Sequence, residues 1–128
     1  VTDPRAPDEF ELYDLAVVVE RIDGHCTCDM RVGDRVDVRG GKLAIAEARG
    51  FCLYALQAAI PLLPAKQRPG HPADWMETDA HVTCPDPACR LIMRIERTGR
   101  RVLRHDAVSA VPWEPPRPAA PPPDERVR

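Results

Sequence analysis

The sequence predicts a small α+β domain, with one main helix packed on an antiparallel or mixed sheet of about five strands. Three observations carry this expectation. Apolar residues alternate with polar ones in several short stretches, a single stretch after Gly50 repeats at helical spacing, and glycine or proline punctuates the joins. A run order of strand, hairpin, helix, strand and hairpin suits a helix laid on one face of a sheet.

The elements follow in order. From Leu12 to Ile22 the chain is β-type, with Leu15, Val17 and Val19 on one face and Ala16, Val18 and Glu20 on the other, until Asp23-Gly24 turns it. Arg35-Val36-Asp37-Val38-Arg39 alternates cleanly. Gly40-Gly41 then leads into Lys42-Leu43-Ala44-Ile45, which predicts a hairpin with one buried face. Cys52, Leu56, Ile60 and Leu63, flanked by Phe51, Ala55, Ala59 and Leu62, fall on one helical stripe entered near Gly50. Pro61 and Pro64 each remove a backbone donor, so the helix is expected to stop or kink near Ile60 and restart as a short turn. Gly70 to Ala73 reads as loop, and His81 to Thr83 as a short strand. Arg90 to Arg97 alternates with Leu91, Met93 and Ile95 inward, and Thr98-Gly99 is expected to turn the chain into Arg101 to Arg104 as a second hairpin.

Three segments are expected: a flexible arm over residues 1–10, a cysteine-containing α+β domain over 11–106, and a Pro-rich disordered tail over 107–128. The 128 residues fit one small domain. Seven of the fifteen prolines fall from Pro112 onward, a composition that favours extended, unpacked chain. Such a tail can dock a protein partner with an aromatic groove. Net charge is -2, from 18 basic and 20 acidic residues, so no nucleic-acid partner is expected. No stretch approaches the ~20 apolar residues of a membrane span, and the acidic, proline-containing start does not read as a signal peptide. The expected location is cytoplasmic.

Five cysteines stand out against this ordinary background: Cys26 and Cys28 in His-Cys-Thr-Cys, Cys52 in Gly-Phe-Cys, and Cys84 and Cys89 in Cys-Pro-Asp-Pro-Ala-Cys. In a reducing compartment, and with an odd count, they point to metal, catalysis or inert packing rather than to a disulfide framework. A structural zinc site needs four N or S ligands. The leading expectation is that Cys28, Cys52, Cys84 and Cys89 converge on zinc or a related thiophilic ion, with Cys26 as a substitute ligand. His25, His71 and His81 are spare donors. The alternative is a small cysteine enzyme or redox protein with Cys52 as thiolate, in the first turn of the helix, and His81 as base. A third reading makes the cysteines core residues of a non-catalytic binding subunit. Arg90, Arg94, Arg97, Arg100, Arg101 and Arg104 form the only basic stretch, whose default is a solvated face. No Gly-rich phosphate loop, His-Glu-x-x-His helix or Gly-x-Ser-x-Gly elbow is present.

Cys28 ahead of Val32-Gly33-Asp34, Gly50-Phe51-Cys52-Leu53-Tyr54-Ala55, and Cys84-Pro85-Asp86 followed by Arg94-Ile95-Glu96-Arg97 together resemble a family of small uncharacterised conserved proteins. The resemblance runs from about Leu12 to Arg97. It implies a single α+β module, sometimes duplicated, in which Cys28, Cys52 and Cys84 recur as a trio, and it implies no activity. Asp86-Pro87 stands where many members have Asp-Gly, and Cys89 is an addition to the pattern.

Overall fold

A computed structural model describes residues 5–118 and 120–127; the first four residues of the expected arm, and positions 119 and 128 of the expected tail, lie outside them. Among the described residues, five strands and four short helices make up the α+β fold. The strands are β1 (Glu9–Ile22), β2 (Arg35–Arg39), β3 (Lys42–Ile45), β4 (His81–Thr83) and β5 (Leu91–Arg104). They form one sheet in the order β3-β2-β1-β5-β4.

β1 sits at the centre of the sheet, and its residues are buried on both sides. Leu15, Val17 and Val19 face the main core, while Ala16 and Val18 on the opposite face are also buried. β2 pairs antiparallel with β1 so that Leu15 opposes Val38 and Val17 opposes Val36, aligning two apolar faces. The β2–β3 hairpin forms as expected, with Arg39 paired to Lys42 across the two glycines.

The helical stripe folds as α1 (Leu53–Ala59), a single 3-10 turn (Ile60–Leu62) and α2 (Leu63–Lys66). Pro61 and Pro64 fall at the first turns of the two later segments, where a missing N–H costs nothing. Ala55, Leu56, Ala59 and Leu63 pack with Val36, Val38, Leu91, Met93 and Ile95 in one core cluster. Gln67 closes the helical run against the sheet: its carbonyl accepts from Tyr13 N–H at 2.8 Å, and its amide donates to the Gly40 carbonyl at 2.8 Å.

The expected second hairpin does not form. Thr98-Gly99 does not turn the chain, and β5 continues unbroken through Arg104. The reason is its partner, since β1 has the same 14-residue length and can pair over the whole run. Ion pairs from Arg100 to Glu11 at 2.6 Å and from Arg101 to Asp14 at 2.8 Å fasten the outer half of β5 to β1. The loop after α2 also carries a short helix, α3 (Trp75–Thr78), capped by the Asp74 carboxylate accepting from Met76 N–H. Its signal is an N-cap aspartate too close to the surrounding prolines and glycine to stand out.

The chain divides into two compact units. Glu11–Val102 holds the core, the helices α1 to α3 and every cysteine. In the other unit, which comprises the described residues up to Phe10 and those from Leu103 onward, His105 N–H donates to the Asp8 carbonyl and α4 (His105–Val108) forms one further turn. The described residues from Ala110 onward form neither helix nor strand and are exposed. Among the described residues no helix is long and apolar enough to cross a membrane.

Candidate functional site

Three segments distant in sequence supply the cysteines, and each is held by a specific local device. The first is the loop between β1 and β2. It starts with Asp23 N–H bonded to the Arg90 carbonyl, Gly24 N–H to the Cys89 carbonyl and His25 N–H to the Ala88 carbonyl, all at 3.0 Å. These bonds zip the approach to Cys26 and Cys28 along the loop that carries Cys84 and Cys89. The zip requires glycine at position 24, because a Cβ there would lie 2.1 Å from the Ala88 carbonyl oxygen.

The second segment is the Cys84–Cys89 loop joining β4 to β5. Its Asp86 carboxylate accepts from Ala88 N–H at 2.9 Å, and its Asp86 carbonyl accepts from Cys89 N–H at 3.1 Å. With two prolines adding rigidity, the loop folds back so that both sulfurs point inward; Cys84 and Cys89 are both buried.

The third segment is the entry to α1. Cys52 is the N-cap residue of that helix rather than a residue of its first turn, and its N–H donates to the Met30 sulfur at 3.3 Å. Arg49 ties the same segment to the first loop. Its guanidinium forks onto the Asp34 carboxylate at 2.7 and 3.1 Å and reaches the Asp29 carbonyl at 2.7 Å. Asp34 is almost fully buried and also accepts from Arg31 N–H. The Arg49 fork, opposed by desolvation and helped by the Arg31 N–H, holds the Asp34 carboxyl below its ordinary range.

All five cysteines line one open cavity of about 250 Å³, together with Thr27, Tyr54, Pro85 and Asp86. The thiols are free, and their exposure is graded: Cys84 and Cys89 are buried, Cys26 and Cys52 half-buried, and Cys28 exposed. The neighbouring Cys52 thiol, ahead of burial, raises the Cys28 pKa above its ordinary value. Burial, first of all, pushes the Cys89 pKa up to about 11. Among the described residues, no three His, Cys, Asp or Glu side chains stand in a ready-made metal-holding arrangement. A metal would have to draw the sulfurs around the cavity together.

The other residues singled out by sequence lie elsewhere. His81 is on β4, paired across to Arg94, with its Nε2 2.9 Å from the Glu20 carboxylate; it is not among the cavity-lining residues. His71 accepts from Ala73 N–H in the loop before α3, and His25 contributes its backbone N–H to the zip. The basic stretch is charge-matched along its length. Arg94 pairs with Glu96, Arg97 with Glu77, Arg100 with Glu11, Arg101 with Asp14, and Arg104 with Asp106, while Arg90 donates to the Asp23 carbonyl. Arg97 also lies 4.1 Å above the Tyr13 ring. Residues that sequence reasoning did not single out are Gly24, Met30 and Arg49. Each acts through partners far along the chain, and only the Asp23-Gly24 turn signal hinted at one of them.

Fold and site together define a small α+β domain with a sulfur-lined cavity. Comparison with protein-family models, with curated proteins and with solved structures found nothing that matches this chain.

Proposed function

We propose that this chain is a thiolate metal-binding domain in which Cys28, Cys52, Cys84 and Cys89 bind zinc or a related thiophilic ion, with Cys26 as a substitute ligand. One observation carries the reading: five free thiols from three separate segments line a single cavity. An all-sulfur set favours soft or borderline ions such as zinc, copper(I) or iron in a sulfur cluster over magnesium or calcium, which seek oxygen. Asp86 is the one carboxylate in the lining, and its Oδ1 is engaged by Ala88 N–H. Metal would displace the thiol protons, including the one held to about 11 on Cys89, so affinity should rise steeply with pH. The role is accessory or structural. Five free thiols also agree with a reducing, cytoplasmic location.

Elemental analysis of protein purified anaerobically without chelator, with thiols counted before and after metal release, tests the reading. About one equivalent of zinc or iron, with four thiols protected until release, is the expected result. No metal, with every thiol reactive from the start, would overturn it. Less supports a cysteine enzyme, because His81 is engaged by Glu20 and is not among the residues lining the cavity that holds Cys52. The exposed Pro-rich tail remains the segment best suited to a protein partner.

A further inference from the structure

Two features of the sulfur-lined cavity distinguish an ion that holds a fold together from one that passes through. The first is what ties the cysteine-bearing segments. Gly24 and His25 N–H groups bond to the Cys89 and Ala88 carbonyls, Arg49 forks onto Asp34, and Cys52 N–H donates to the Met30 sulfur. Protein groups alone therefore fasten the first loop to both of the others. Beside them Leu15, Val17, Val19, Val36, Leu91 and Met93 supply a fully buried core. Domains that depend on a structural ion lack such a frame and unfold when the ion is removed. The second feature is the mouth. Structural sites close all their ligands away, whereas exchange needs a position within reach. Cys84 and Cys89 are 8 % and 4 % exposed, Cys26 and Cys52 are half-buried, and Cys28 is exposed on an open cavity. Five sulfurs also stand where a tetrahedral ion takes four, so another sulfur can enter the shell as one leaves it.

We propose that the ion is cargo, handed to a partner protein that presents cysteine thiols, and that Cys28 is the ligand exchanged first, at the open side of the cavity. The inference rests on the metal-binding reading above and takes the accessory of the two roles named there. The acceptor is a thiol protein because oxygen donors compete poorly for a thiophilic ion already held by sulfur. The step is a ligand substitution with no change of oxidation state. An acceptor sulfur bonds to the metal, the bond from the metal to Cys28 breaks, and the proton displaced from the acceptor thiol ends on the Cys28 sulfur. Further substitutions of the same kind, with the buried Cys84 and Cys89 last, complete the transfer.

Zinc on the full chain is the probe, with a short peptide carrying several free cysteines as acceptor and the metal counted in each after rapid gel filtration. The transfer rate should double with each doubling of peptide concentration, and the same peptide with serine for cysteine should take no zinc. A rate independent of peptide concentration would mean that the ion leaves unaided, and would overturn the exchange. A pulse of iodoacetamide during transfer should label Cys28 first among the four ligands; first labelling at Cys84 or Cys89 would overturn its role. The metal-free chain should keep its far-ultraviolet circular dichroism and unfold cooperatively in urea. A metal-free chain that is already unfolded, while the loaded chain folds, would make the ion structural and overturn the proposal with metal binding intact. A folded chain that takes up no zinc would instead sink the metal reading, and the transfer with it.

Discussion

Asp34 shows how one buried carboxylate positions a site without touching the ligand. It receives the Arg49 fork and the Arg31 N–H, and it is 3 % exposed, so removing its charge strands Arg49 and loosens both the first cysteine loop and the entry to α1. Asp34→Asn should cost about 1–3 kcal/mol of stability, measured by urea denaturation at pH 7. The pH dependence has a defined sign. The folded carboxyl titrates below its unfolded value of about 3.9, so its contribution is fully present above that value and lost as pH falls through the lower folded one. The gap between wild type and Asp34→Asn should therefore close below about pH 4. A gap that stays constant down to about pH 2 would show that the ion pair is not its source. In the sequence, Asp34 stands out only as part of Val32-Gly33-Asp34, and Arg49 has no signal at all. Their partnership depends on a loop whose path the local pattern does not encode.

At the level of elements, most of the fold was legible because its pattern is strong. The central strand, the β2–β3 hairpin and the proline-interrupted helix each combine a clear period with a local stop signal. β5 was misread for the opposite reason. Thr98-Gly99 carries a turn signal, but pairing with a strand of equal length overrides it. The two glycines of interest should then respond differently to alanine. At position 99 a Cβ would meet only the Asp14 carboxylate, at an ordinary 3.5 Å, and Gly99→Ala should be neutral or stabilising by up to about 1 kcal/mol. At position 24 the added carbon collides with two backbone carbonyls, and Gly24→Ala should cost about 3 kcal/mol. Chemical denaturation of both variants distinguishes the cases, and a large loss at Gly99 would restore the hairpin. The Gly24 variant should also label faster at Cys84 and Cys89, since the zip that covers them is opened.

For the whole molecule, the sheet and helix serve as a frame from which three cysteine-bearing segments meet. The convergence of these cysteines was expected from their placement at element boundaries, and the cavity does gather all five. What the sequence could not convey was their grading. The gradation from buried Cys84 and Cys89 through half-buried Cys26 and Cys52 to exposed Cys28 depends on how deeply each loop is packed. It also depends on Gly24, Met30 and Arg49, which hold the loops together from positions remote in the chain. The most direct test of the central claim is X-ray absorption at the zinc edge on the full chain, loaded anaerobically and freed of excess metal. The account predicts a first shell of four sulfurs at about 2.3 Å. A shell of nitrogen and oxygen donors, or zinc that does not stay with the protein, would contradict it.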